Sequence, residues 1–199
     1  MPPAHHPVRR FGTRSALALL ALLTVLTGCS SAPDPSGPAA SAAVGTPPEV
    51  KQRAAPAKVV IPSIGVTSSL MELGLNTDGT VEVPPAEKGM TAGWYTGGPV
   101  PGEAGAAVII GHNDTRFGKA VFHDLKKIAR GADITVTNDR GESVHFTVTG
   151  TESVSKNSFP TEKVYGPTED HALRLITCDG DFDAQGHPVN NLIVYATLD

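Results

Sequence analysis

Leu173-Arg174-Leu175-Ile176-Thr177-Cys178-Asp179-Gly180 is an apolar, strand-forming run that ends on a thiol. Its branched side chains suit a pleated, buried surface, and Asp179-Gly180 supplies the turn residues that stop it. Val108-Ile109-Ile110-Gly111-His112-Asn113-Asp114 is built the same way and ends on an imidazole. Outward from this pair lie further segments rich in β-branched residues. They are Val59-Val60-Ile61, the start of the second run at Ala106-Ala107, Ile134-Thr135-Val136-Thr137, Val144-His145-Phe146-Thr147-Val148-Thr149 and Leu192-Ile193-Val194-Tyr195-Ala196. Several alternate with period two, and Asp139-Arg140-Gly141-Glu142 reads as a hairpin turn between two of them. Only Lys119 to Ala129 carries a helical spacing, with Val121, Leu125 and Ile128 on one face. Six or more short strands joined by long loops predict an all-β fold, a closed or nearly closed barrel with one or two short helices.

Composition agrees with that reading. The 199 residues suffice for one domain plus appendages, and 40% hydrophobic residues can furnish its core. Aromatic residues are only 5%, whereas 21 Gly and 17 Pro favour a turn-rich β fold over a helical bundle. A formal charge of −4 leaves no electrostatic basis for a nucleic-acid partner.

The N-terminus has the organisation of an export signal over residues 1–28. Arg9, Arg10 and Arg14 precede an apolar run from Ala16 to Leu26, which is short for a membrane-spanning helix. Leu26-Thr27-Gly28-Cys29 follows and resembles the lipobox of bacterial lipoproteins, in which the cysteine is lipidated and becomes the new N-terminus. Processing there removes those three arginines and no acid, taking the formal charge from −4 to −7. Residues 29–57 are rich in Ser, Ala, Pro and Gly, too poor in large apolar side chains to order themselves. They read as a flexible tether with a reach of about 30 Å. The expected location is extracytoplasmic, held at the outer face of the membrane by a lipid on Cys29, the alternative being an uncleaved signal anchor with Cys29 incidental, and residues 58–199 are the functional body.

In such a body Cys178 has no disulfide partner, because Cys29 belongs to the anchor, so reactivity is a serious explanation for it. A thiol and an imidazole together suffice for acyl transfer: Cys178 attacks a carbonyl and His112 protonates the leaving amine. Taken singly, each residue has a plainer reading, Cys178 as a small buried hydrophobe and His112 as a structural histidine.

Larger blocks of sequence separate these readings. Gly111-His112-Asn113-Asp114 followed by Gly118-Lys119-Ala120-Val121-Phe122, then Leu175-Ile176-Thr177-Cys178-Asp179-Gly180 and a last Val194-Tyr195-Ala196 strand, resemble the sortases, cysteine transpeptidases of Gram-positive cell surfaces. The likeness runs from Val59 to Leu198 and includes Ile61-Pro62-Ser63-Ile64-Gly65-Val66 and Gly93-Trp94-Tyr95. Within the family the chain most resembles the actinobacterial class F. The resemblance implies an eight-stranded barrel, a thioester on Cys178 and a substrate bearing a Leu-Pro-x-Thr-Gly-like sorting signal. It also implies transfer to an amine, a cell-wall precursor or a pilin lysine, with no metal and no cofactor.

The sequence departs from the family at the arginine that binds the substrate carbonyl. Counting back from Ala196, that position is Asn191, which offers a hydrogen bond without charge. Arg174 shares strand parity with Ile176 and Cys178 and is the first candidate to replace it; Arg116, four residues past His112, is the second. Asp114 is expected to orient His112 or to cap a turn, and Ile176 and Thr177 to support the substrate beside the thiol. His187 is a further candidate for the groove, while His123, His145 and His171 read as structural or surface residues. Asp179, Asp181 and Asp183 read as a solvated acidic loop rather than a calcium site. Two alternatives remain. An L,D-transpeptidase would place His-Gly directly before its cysteine, where this chain has Ile176-Thr177. A non-enzymatic lipoprotein with a sortase-like barrel would bind a peptide or wall component without forming a thioester.

Overall fold

A computed structural model describes residues 53–186 and 188–199. The signal-like segment, Cys29, most of the tether and His187 lie outside the described residues. Ten strands follow one another: β1 (Pro56–Ile61), β2 (Val66–Leu73), β3 (Ala92–Tyr95), β4 (Gly105–Ile110), β5 (Asp114–Thr115), β6 (Gly118–Lys119), β7 (Asp133–Asn138), β8 (Ser143–Ser155), β9 (His171–Phe182) and β10 (Pro188–Leu198). Eight of them close a barrel in the order β1-β2-β3-β4-β9-β10-β8-β7, as expected for the all-β reading, and β5-β6 is a separate two-stranded ribbon.

All neighbours in the barrel are antiparallel except β2 with β3 and β4 with β9. The β4/β9 register runs from Gly105 opposite His171 to Ile110 opposite Ile176, bringing the two quoted runs side by side and pointing the same way. Between β7 and β8, Asn138 holds the expected hairpin: its side-chain oxygen accepts from the backbone N–H of Arg140 and of Glu142.

Strand alternation divides β9 between two environments. Leu173 and Leu175 point into the barrel, where they pack with Val59, Ile109, Phe146 and Val194. Ile176 points outward into a second cluster with Leu73, Val108, Ile110, Val164 and Ile193. Each such burial is worth about 1.5–3 kcal/mol, so a one-residue slip of β9, which would exchange the two faces, is strongly disfavoured.

The short helix α1 (Thr161–Tyr165) roofs this outer cluster. Five residues cannot sustain a helix alone. Val164, fully buried, and Tyr165, edge-on to Tyr95 at 5.7 Å, fasten it to the sheet. Gly166 ends it, its N–H donating to the Glu162 carbonyl at 2.8 Å. The helical spacing at Lys119 to Ala129 has a different outcome. Val121, Leu125 and Ile128 are all buried as the spacing requires, but the segment is a series of turns with one 3-10 turn at Leu125–Lys127. Gly118 and Lys119 are committed to β6, which leaves too few residues for a stable α-helix.

Candidate active site

Past the end of β4, the Gly111 N–H donates to the Ile176 carbonyl at 3.1 Å and carries the parallel ladder one step further. The Ile110–Ile176 pair is the last of this register, and His112 and Cys178 each follow it by two residues, so both are carried to the same end of the β4/β9 pair. The chain is tightly seated here. A Cβ on Gly111 would stand 2.6 Å from Phe122 and 2.7 Å from Val121, so only glycine lets the strand lie against that loop. The His112 carbonyl accepts from Phe122 N–H at 2.9 Å and the Asn113 carbonyl from Ala120 N–H at 3.0 Å, pinning the backbone just past the carbon that bears the imidazole.

The orienting group for His112 is a backbone carbonyl. Its Nε2 lies 2.6 Å from the Pro84 oxygen, which can only accept, so Nε2 carries the proton in that contact. That leaves Nδ1 as the ring nitrogen able to exchange a proton. Asp114, expected to orient His112 or cap a turn, instead binds the His123 Nδ1 at 3.0 Å.

Cys178 is half-buried and free. Its carbonyl accepts from the Asn113 side chain at 3.2 Å, a second tie between the histidine loop and β9. Lys156 Nζ lies 3.6 Å from Sγ. Directly opposite Cys178 on β10 stands Asn191, the position where the family arginine is expected.

Both His112 and Cys178 line a cavity of about 620 Å³, together with Ile176, Thr177 and Asn191. Much of its wall is apolar: Leu75, Val81 and Val83 come from the β2–β3 connection, Tyr95 from β3, and Phe159 and Tyr165 from the α1 region. Burial, with Tyr95 beside it, pushes the Tyr165 phenol up to about 12, so it meets a ligand as a neutral group. The Thr177 hydroxyl is buried without a hydrogen-bond partner.

The two arginine candidates are elsewhere. Arg174 does share the outward face of Cys178, but four residues along a strand amount to about 13 Å. Its guanidinium stacks on Tyr195 at 4.8 Å and donates to its neighbour's carbonyl at Leu173, and burial draws it below the ordinary guanidinium range. Arg116 sits in the exposed β5–β6 turn, over the Phe117 ring at 4.8 Å. Neither lines the cavity. His145 and His171 have partners outside it, Asp133 and the Gly102 carbonyl.

Lys156, Asn113 and the Pro84 carbonyl escaped the sequence reading. An exposed lysine in a polar turn and a backbone oxygen carry no compositional signal. Asn113 does, since it adjoins His112 within the quoted motif.

A thiol on β9 and an imidazole just past the end of the neighbouring β4, open to one largely apolar cavity, define a cysteine–histidine centre. The model of the sortase domain matches residues 59–199, and the chain belongs to the sortase family. Among solved structures it is similar to sortase C-1 of Actinomyces oris, with 21% identity and a TM-score of 0.57 over 72% of this chain and 73% of that one. It is similar also to sortase A of Corynebacterium diphtheriae, at 22% identity and 0.57, covering 74% of this chain and 62% of that one. Sortase A of Listeria monocytogenes gives 23% and 0.55, over 74% and 88%. No curated protein matches the chain in sequence.

Proposed function

We propose that the chain is a cysteine transpeptidase that cleaves a Leu-Pro-x-Thr-Gly-like sorting signal and transfers the acyl part to an amine, a cell-wall precursor or a pilin lysine. The observation that carries this reading is the meeting of Cys178 and His112 in one largely apolar cavity. Cys178 passes its thiol proton to His112 as its sulfur attacks the scissile carbonyl, forming the C–S bond and moving the π electrons onto oxygen. Collapse restores the carbonyl and expels the amine, which takes its proton from His112. The incoming amine attacks the thioester, gives its proton back to His112 and releases the thiolate. The apolar wall suits the leucine and proline of such a signal.

In the same reading the histidine motif and its Gly118-Lys119-Ala120-Val121-Phe122 continuation favour class F. Cys29 carries a lipid, and the tether holds the body at the outer face of the membrane, near its acceptor. Asn191 opposite the thiol favours the competing reading of a binding module, since a neutral residue stands where charge is expected. Intact mass spectrometry of the full chain with a panel of sorting-signal peptides and a primary amine separates the two. A Cys178 acyl adduct that resolves to an amine-linked product, absent in Cys178→Ala and lost in His112→Ala, establishes the transpeptidase. A Cys178 that no peptide acylates rejects it.

A further inference from the structure

We propose that Lys156 is the cation of the Cys178 centre, relocated from β10 to the turn after β8. The inference rests on the transpeptidase reading for its substrate and on the geometry alone for its contact with the thiol.

A tetrahedral intermediate on Cys178 carries a full negative charge, and Asn191 opposite the thiol cannot match it with charge. Arg174 and Arg116 are both occupied with aromatic rings outside the cavity. Lys156 Nζ is 3.6 Å from Sγ, within hydrogen-bonding distance for sulfur. Among the described residues no carboxylate competes for this ammonium at ion-pair distance.

The strand register shows how it arrives. Val154 on β8 pairs with Asn191 on β10, which pairs with Cys178 on β9, so the three stand in one row across the sheet. Lys156 lies just past this row in the 3-10 turn Lys156–Ser158, whose start is fixed by the Ser155 hydroxyl accepting from the Asn157 N–H at 3.3 Å. The lysine reaches back over β10 to the sulfur. Asn191 is short enough to let it pass; an arginine there would fill the same space. The neutral residue on β10 and the cation on the β8 turn are two halves of one exchange.

In the resting enzyme the ammonium donates to Sγ. On attack the negative charge passes from sulfur to the substrate oxygen, and the flexible lysine follows it as a donor without losing a proton. An ammonium makes one such contact where an arginine would make two, and it is exposed to solvent, so its effect is smaller than that of a buried donor.

Two measurements on the full chain test this. In the first, Cys178 is alkylated with iodoacetate and, separately, with iodoacetamide. A neighbouring cation favours the anionic reagent, and Lys156→Met is expected to lower the iodoacetate-to-iodoacetamide rate ratio about fivefold, with Lys156→Arg restoring it. In the second, single-turnover acylation by a sorting-signal peptide is expected to slow about tenfold to a hundredfold in Lys156→Met, with little change in KM and recovery in Lys156→Arg. An equal alkylation ratio in wild type and Lys156→Met overturns the proposal, whatever the peptides do. A shifted ratio in a chain that no peptide acylates upholds the cation at the thiol and rejects the transpeptidase reading instead. A shifted ratio with unchanged acylation removes the oxyanion role.

Discussion

Replacing Gly111 by alanine is expected to damage catalysis as well as stability. The added Cβ would stand 2.6 Å from Phe122 Cδ2 and 2.7 Å from Val121 Cγ1, where ordinary contacts begin at 3.4 Å. Something must therefore give by roughly 0.8 Å, the difference between those distances. Phe122 is fully buried and cannot swing aside, so the end of β4 moves instead, and His112 is the next residue. Overpacking of this kind costs about 1–3 kcal/mol, a fall in Tm of about 2–12 °C for a body of this size. A displacement near 1 Å at a reacting group costs about a hundredfold in rate. The assay is kcat/KM for amine ligation, measured well below the unfolding transition, beside a thermal melt of the same sample. Gly111→Ala with a lowered Tm but kcat/KM within twofold of wild type would refute the argument that this glycine seats the histidine.

Other substitutions probe the remaining contacts. Arg174→Ala removes a cation–π contact and is expected to cost about 1 kcal/mol in thermal or denaturant unfolding, while kcat stays within about twofold; a large loss of kcat would return Arg174 to the oxyanion role. Asn191→Ala removes one neutral donor opposite the thiol and should slow acylation by about three- to tenfold in stopped-flow assays. Glu152 is held below its ordinary 4.5 by the hydrogen bond from Lys163 and then by that from Tyr195. Its contribution to stability is thus complete above pH 4.5 and is lost as pH falls through the lower folded value. Glu152→Gln should flatten the fall in Tm over that acid range and leave the melt near neutrality as the reference.

Much of the barrel was legible because its strands bury one or both faces with branched residues. β1, β4, β7, β8, β9 and β10 all lie where such runs occur. β2 escaped because Ser68 is an interior position filled by a polar residue, its hydroxyl oxygen accepting from the Ala92 N–H at 2.9 Å. β3 has four residues, too few to show a period. α1 was invisible for a physical reason: five residues take helical form only because Val164 and Tyr165 are anchored to the sheet. At the site, His112 and Cys178 stood out because reactive side chains close apolar strands there. Strand parity correctly set Arg174 on the outer face with the thiol, but parity says nothing of distance along the strand. Lys156 reaches the sulfur from 22 positions away through the β8–β10–β9 register, which only the folded sheet reveals.

The parallel pairing of β4 with β9 also sets the order of events after synthesis. The loop carrying the histidine and the strand carrying the thiol are joined by the Asn113 to Cys178 contact, 65 positions apart, so pairing β4 with β9 must close a long loop of chain. Contacts so distant along the chain close late and slowly. A partly folded chain therefore holds its thiol and its imidazole apart, and the two come together only with closure of the barrel. The connectivity of the sheet thus acts on timing, withholding the assembled pair until the barrel has closed.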